Sequence, residues 1–203
     1  STVLAQMRAL FLERLCQIVQ AAGLSQSRAL EHLTEGVGQF FDEMTSQSAR
    51  SGFEQAAGLT ASKIRLVDDA DLEFSIRLGD LSRRLFDECG VGLAKLHPRL
   101  ATLLERGDLE AADNPVGPEA VRSGLTELFN AADWSSDQAD KWLNEIGNRL
   151  AQDLPLVYAE IGELLVRNQV PATRALVQRA AEGGYGLGAE RPADSMAKLQ
   201  MAM

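Results

Sequence analysis

The amino-acid sequence predicts an all-α protein, a multi-helix bundle of about six to eight helices with long central antiparallel helices. Aliphatic residues recur every three or four positions, the spacing of one helix face. No segment alternates apolar and polar residues between turn signals, as a half-buried strand would. Apolar residues make up 45% of the 203 residues but aromatic residues only 5%, so the core must be mainly aliphatic and packed helix on helix.

The first predicted helix runs from about Val3 to Ala22. Gly23 is placed to end it in the left-handed conformation that glycine adopts readily. Ser25 or Ser27 can then cap a second helix, because a serine hydroxyl accepts a bond from a free backbone N–H of the first turn. The apolar pattern of this second helix allows it to continue as far as Ala57.

The third predicted helix begins at Asp68 and Asp69, because acidic side chains favour the positive end of a helix. Its apolar row has the spacing of a buried seam: Leu78, Leu81, Leu85, Cys89, Leu93 and Leu96. Pro98 lacks a backbone N–H and is expected to break or kink the helix. A short fourth helix, Arg99–Arg106, is then expected to stop at Gly107.

A loop is predicted from Leu109 to Gly117, since Asn114-Pro115 and Gly117-Pro118 are both turn signals. Pro118 suits the first position of a fifth helix, because its missing N–H would be unpaired there in any case. This helix is expected to reach about Ala132.

A sixth helix is expected after a cap at Ser135 or Ser136. Pro155 predicts a restart, and therefore a separate seventh helix that carries Tyr158. Pro171 ends this helix or joins it to a short extension. We expect residues 1–182 to form the helical bundle domain and residues 183–203 to be a flexible linker or disordered tail, because four glycines and a proline open that segment.

Glycines inside helical patterns indicate close packing or kinks, since each costs about 1 kcal/mol relative to alanine. Gly36 and Gly38 predict a close helix contact, and Gly90-x-Gly92 a packing or kink feature. Gly184-x-Gly186-x-Gly188 follows a helix rather than a strand, so we interpret it as linker and not as a phosphate-binding loop.

The net charge of −9 argues against nucleic-acid binding, whose affinity comes mainly from neutralised phosphates, and against docking on an anionic membrane. Cys16 and Cys89 fall at apolar positions, so we expect buried thiols that act as small hydrophobic groups. No stretch is long and apolar enough for a membrane span, and no signal pattern opens the chain. We therefore expect a cytoplasmic protein.

The chain offers few groups for catalysis or metal binding, and we expect neither a catalytic, metal nor cofactor site. His32 and His97 are the two histidines, and neither follows a glutamate at the spacing that di-metal bundles use. A thiolate nucleophile at Cys89 would need an imidazole, and His97 lies about two helical turns away. We interpret Asp68 and Asp69 as a helix start and not as metal ligands.

Three motifs, in order, resemble the large proteobacterial family catalogued as domain of unknown function 1631. They are the acidic helix start Leu66–Glu73, the turn Asn114–Ala120 and the helix segment Val157–Ile161, followed by Val170-Pro171. The similarity covers about Met7 to Pro171. The chain departs from the family pattern between Trp134 and Leu154 and at Pro98.

The resemblance implies the helical N-terminal part of a longer bacterial signalling protein, whose C-terminal region is similar to cyclic-di-GMP-binding domains. Some family members carry an automatic thymidine phosphorylase label, which the residues here do not support. The structural motif residues are the following: Asp68, Asp69, Asn114, Pro115, Gly117, Pro118 and Tyr158.

Three functions follow as hypotheses. The first is a non-catalytic interaction or regulatory module that binds a protein partner, another copy or the rest of its own chain, with the third helix as a dimer seam. The second is a small-molecule-binding helical sensor with an interior pocket. The third is an enzyme, which predicts a concave cluster of titratable residues with shifted pKa values.

Overall fold

A computed structural model describes residues 2–46 and 69–172 and confirms the all-α fold class. No strand occurs in these two ranges, and the helices are α1 (Thr2–Ala21), α2 (Ser27–Ser46), α3 (Asp69–Glu88), α4 (Gly90–Leu103), α5 (Pro118–Ala131) and α6 (Ser136–Arg167), with a 3₁₀ turn at Ala111–Asp113. The expected extension of α2 to Ala57, residue Asp68 and the predicted tail 183–203 lie outside the described residues.

The turn between α1 and α2 forms as expected. Gly23 has φ of +105°, and the N–H groups of Gly23 and Leu24 bond back to Gln20 and Val19. This left-handed cap satisfies carbonyls at the end of α1. Arg8 of α1 donates two hydrogen bonds to the Asp42 carboxylate of α2, each 3.0 Å long. These bonds connect the two helices of an antiparallel helical hairpin.

The break after α3 lies at Cys89, and of the break or kink expected at Pro98, the break is wrong because α4 continues through that residue. Pro98 is an exposed residue inside α4, where its ring and its missing hydrogen bond face solvent. A helix tolerates this loss better on its water-facing side, because solvent can satisfy the freed carbonyl. Gly90 begins α4, which confirms the kink expected at Gly90-x-Gly92.

The end of α4 also differs from the prediction. The expected helix Arg99–Arg106 is instead the second half of α4, and Glu105, not Gly107, takes the left-handed conformation, with φ of +54°. Arg106 N–H donates to Ala101 O over 2.9 Å. The hydrogen-bond pattern of a left-handed cap therefore forms without glycine.

Helix α6 runs unbroken through Pro155, so the predicted restart and separate seventh helix are wrong. Ser135 caps it: the serine hydroxyl accepts from Gln138 N–H, and the Gln138 side chain accepts from Ser135 N–H. Buried Leu154 and Val157 flank Pro155, and this packing holds the helix together where the local rule predicts an end.

Side-chain contacts give the directions of the helices around α6. Arg14 of α1 bonds Glu160, and Gln6 bonds Asn168, so α1 is antiparallel to α6. Arg84 of α3 bonds Asn148, and Gly92 of α4 lies against Tyr158, so α3 and α4 run alongside α6 in the same direction. The expected arrangement of central antiparallel helices is therefore not confirmed.

The core is aliphatic, as predicted, and includes the apolar row of α3 and α4. The row members that are buried inside the domain are Leu78, Leu81, Leu85, Cys89 and Leu96. The domain itself covers this row, so a dimer seam on the third helix would have to use another of its faces.

Candidate interaction groove

A surface groove of about 880 Å³ lies between α4 and the second half of α6. Its apolar lining consists of Cys89, Val91, Gly92, Leu96, Pro155, Tyr158, Ala159, Gly162, Val166 and Ala172. We call it the α4–α6 groove. It exists because α4 bends away from α3 at Cys89 and then follows α6.

Two small residues form the floor of the groove. A Cβ atom added to Gly92 would lie 3.3 Å from Tyr158 Cβ, and one added to Gly162 would lie 3.6 Å from Leu96 Cδ2. The first distance is tighter than ordinary van der Waals contact, so Gly92 permits the close approach of α4 to Tyr158. The glycines also leave the groove without side chains that would fill it.

Tyr158 and Cys89 are the titratable groups at the floor, and both are held neutral. The Tyr158 hydroxyl is buried without a hydrogen-bond partner, and burial raises the pKa of Tyr158 well above 10.0. Burial, with a smaller contribution from Glu88, raises the pKa of the Cys89 thiol to about 11. Catalytic thiols show the opposite shift, towards a lower pKa.

Cations surround the groove although the chain is acidic overall. Within residues 2–46 and 69–172, five Lys and Arg side chains make no ion pair: Arg28, Lys95, Arg99, Lys141 and Arg167. Three of the five, Lys95, Arg99 and Arg167, line the groove. Of its two acidic residues, Glu88 is bonded to Arg84, so the groove has an excess of unneutralised positive charge.

A second cleft, of about 450 Å³, lies where α3, α5 and α6 meet. Phe74, Phe129, Trp134 and Trp142 form a continuous series of ring contacts with centroids 4.7–5.9 Å apart. The first three of these residues line the cleft. We call it the aromatic cleft.

The polar side of the aromatic cleft is ion-paired. Arg77 donates to Glu73 and to Asp140, and all three side chains line the cleft together with Asp71. The side-chain hydrogen bond with Asp140 is the main cause that raises the pKa of Arg77. The Arg77 guanidinium therefore stays charged at every ordinary pH.

The structure separates the predicted motif residues into three places. Asp69 is exposed at the start of α3, Tyr158 lies at the groove floor, and Asn114, Pro115, Gly117 and Pro118 form a buried turn before α5. Within residues 2–46 and 69–172, no hydrogen bond connects motif residues that lie in different locations. The motif residues are thus not one site.

The buried turn has a structural explanation. Asn114 Oδ1 accepts from Val116 N–H over 3.0 Å, and Asn114 O accepts from Gly117 N–H over 2.9 Å. A Cβ atom on Gly117 would lie 3.2 Å from Asn114 O. Pro118 then starts α5 at its first position, as predicted. These residues set the entry of the chain into α5.

The histidines lie apart from both clefts. His32 Nδ1 lies 3.7 Å from Glu35 Oε2 on α2, and His97 is partly buried in α4. Within the described ranges, no group of three or more His, Cys, Asp or Glu side chains is placed to hold a metal ion.

The sequence analysis missed the residues that make the groove, above all Val91, Val166 and Arg167. Nothing in the local pattern shows that α4 packs beside α6, since that contact joins positions about seventy residues apart. The available signals were Gly92, at a position of close approach, and two valines outside the predicted apolar rows.

The fold and its clefts define a helical module with an open apolar groove and buried structural motifs. The chain belongs to the family described as protein of unknown function (DUF1631), N-terminal domain, whose model matches residues 5–169. The resemblance drawn from the motifs is thereby confirmed. No curated protein and no solved structure matches the chain. None of the described helices has both the length and the apolar character needed to cross a membrane.

Proposed function

We propose that this chain is a non-catalytic interaction and regulatory module of a larger bacterial protein. The observation that carries the proposal is the α4–α6 groove, which leaves Val91 73% and Val166 54% exposed beside unpaired cations. Exposed apolar side chains grouped in a concave surface are typical of protein-binding sites. A helix laid between α4 and α6 would bury them.

The chemistry of the groove supports binding rather than catalysis. Its two titratable floor groups, Tyr158 and Cys89, have raised pKa values, whereas a nucleophile or base needs a value near the working pH. The family resemblance suggests a setting in cytoplasmic cyclic-di-GMP-linked signalling, in which the module would pass a signal by binding or releasing a protein rather than nucleic acid or membrane.

The direct test is a pair of matched charge insertions on α6. Val166→Glu places a carboxylate in the groove. Leu156→Glu adds a carboxylate to the same helix outside the groove, at a residue that is 66% exposed. Affinity capture from the native host should recover the same partner with the wild-type and Leu156→Glu proteins, and lose it with Val166→Glu. Equal recovery by all three would exclude the groove as the binding surface.

A second candidate function is small-molecule sensing at the aromatic cleft. The favouring observation is the set of three aromatic rings beside charged groups in a cleft of about 450 Å³, a combination typical of ligand sites. This cleft opens at the surface and is not the interior pocket that the sensor hypothesis expected.

The two tryptophans of the chain report on this cleft directly. Trp134 lines it, and Trp142 stacks on Trp134 with ring centroids 5.9 Å apart. A ligand that enters should change the fluorescence of a Trp142→Phe variant, in which only Trp134 emits. A metabolite library that leaves this emission unchanged would count against the sensor function.

A further inference from the structure

Four of the five large exposed hydrophobic side chains of the described residues fall on two surfaces. Val91 and Val166 line the α4–α6 groove, while Leu72 and Ile76 lie on α3, 54% and 55% exposed. The fifth, Leu156, lies on α6 and does not line the groove. Positions four apart share one helix face, so Leu72 and Ile76 form a short apolar ridge.

The two surfaces carry opposite charge. Asp69, Asp71 and Glu73 lie in the first turns of α3 beside the ridge, and of these only Glu73 is ion-paired within the described residues. Asp69 lies three residues before Leu72 and shares its face, whereas Asp71 lines the aromatic cleft. We call Asp69, Leu72 and Ile76 the acidic ridge. The α4–α6 groove has the opposite excess charge: within the described residues, its lining includes three cations that make no ion pair and one such carboxylate, Glu163.

We propose that the chain self-associates by docking the acidic ridge of one copy into the α4–α6 groove of a second copy. The proposal rests on the proposed function of the groove and names its occupant. Leu72 and Ile76 fill the concavity between Val91 and Val166, and Asp69 lies near the groove cations. Apolar anchors inside a ring of complementary charges are the usual anatomy of a specific protein interface.

The positions of the two surfaces favour a closed dimer. The ridge lies near the start of α3, and the groove begins where α3 ends, so the surfaces lie about 20 Å apart along the α3–α4 path at 1.5 Å per residue. Two copies that meet with these helices antiparallel bring each ridge to the other groove. Both contacts then form together about a two-fold axis, which closes the assembly at two copies.

A second copy is favoured over an unrelated partner because both complementary surfaces are on this one chain. The chain has a net charge of −9, but the groove has an excess of positively charged side chains. Within residues 2–46 and 69–172, the ridge of α3 combines two large exposed hydrophobic side chains on one helix face with a carboxylate that makes no ion pair. An acidic helix from another protein is the principal alternative occupant.

The first experiment measures the mass of the full 203-residue chain by sedimentation over a range of concentrations. The 22.0 kDa chain should give a reversible dimer of twice that mass. Val166→Glu in the groove and Ile76→Glu on the ridge should each weaken dimerisation at least tenfold. Leu156→Glu, the matched control outside both surfaces, should dimerise like the wild type, and circular dichroism checks that each variant is folded.

A charge-swap mixture gives a sharper test. Lys95→Glu with Arg167→Glu reverses the charge of the groove, and Asp69→Lys reverses the charge of the ridge. Each of these two proteins alone should be monomeric, because ridge and groove then repel. A mixture should form a one-to-one heterodimer, since one contact pairs two reversed surfaces and the other pairs two native surfaces. General loss of folding in the variants cannot produce this rescue.

The outcomes separate the two proposals. A monomeric chain whose groove captures a different protein, in a manner abolished by Val166→Glu but not by Ile76→Glu, overturns self-association and leaves the proposed function standing. Dimers that survive both substitutions, or a mixture without rescue, also overturn it. Loss of association in both variants, with rescue in the mixture, supports it.

Discussion

Gly36 of α2 and Gly124 of α5 face each other where their helices cross, so the two backbones are in direct contact. A Cβ atom on Gly36 would lie 2.7 Å from Ser123 O and 2.9 Å from Gly124 Cα, and one on Gly124 would lie 2.8 Å from Leu33 O. Ser123 Oγ also donates to Gly36 O over 3.1 Å. This contact confirms the close approach predicted from Gly36.

Gly124→Ala should destabilise the domain by about 2 kcal/mol, because its added methyl group would meet the Leu33 backbone carbonyl, which cannot move without moving α2. Gly79→Ala is the matched control, since the nearest atom to its Cβ is 4.0 Å away on Arg122. It should stabilise α3 by about 0.5–1 kcal/mol, the ordinary helix preference for alanine. Urea unfolding of both variants measures the difference, and equal effects of one sign would contradict the close contact.

The amphipathic helices could be predicted because they follow from local spacing. The starts at Asp69, Pro118 and Ser135 and the cap at Gly23 depend on residues within one turn of the helix end, so the chain around them is sufficient evidence. The fold class and most helix boundaries therefore agree with the structure.

The proline predictions failed because a local rule was applied where packing decides. Pro155 follows buried Leu154 and precedes buried Val157 and Tyr158 by two and three residues in α6, and Pro98 lies on the exposed side of α4. Each helix therefore continues with one hydrogen bond fewer. The groove could not be predicted for a related reason. The groove depends on which two helices pack side by side, and the local sequence of α4 does not indicate that it packs against α6.

Ser135→Ala should cost about 1 kcal/mol of stability, because it removes the hydroxyl that accepts from Gln138 N–H at the start of α6. The sequence left Ser135 and Ser136 as alternative caps, and Ser136→Ala is therefore the natural control. Ser136 is the exposed first residue of α6, so its replacement should change stability by less than about 0.5 kcal/mol. Denaturant unfolding that ranks Ser136→Ala as the more damaging change would refute this assignment.

Gln169→Gly should stabilise the domain by about 1 kcal/mol. Gln169 is exposed and has φ of +56° at the end of α6, and the left-handed conformation is unfavourable for a residue with a Cβ atom. Gly23→Ala tests the same physics in the opposite direction, because φ there is +105°, and it should destabilise the α1–α2 turn. The midpoints of thermal unfolding should move up for the first variant and down for the second.

The free energy of unfolding should fall as pH rises above about 9, because of the groove floor. Folding raises the pKa of Cys89 from 9.0 to about 11 and that of Tyr158 well above 10.0. The unfolded chain therefore loses these protons at a lower pH than the folded chain. Since the folded state then holds more protons, each further pH unit costs about 1.4 kcal/mol per group at most.

Two variants separate these contributions in unfolding experiments at pH 8, 9, 10 and 11. Cys89→Ala should flatten the decline between pH 9 and 11, although the raised pKa of Cys16 leaves some slope. Tyr158→Phe should leave the decline between pH 9 and 10 nearly unchanged and reduce it above pH 10. Comparing slopes rather than absolute stabilities removes the cavity that Cys89→Ala creates, because that penalty is the same at every pH. A Cys89→Ala profile parallel to the wild type would show that the thiol is not held neutral by the fold.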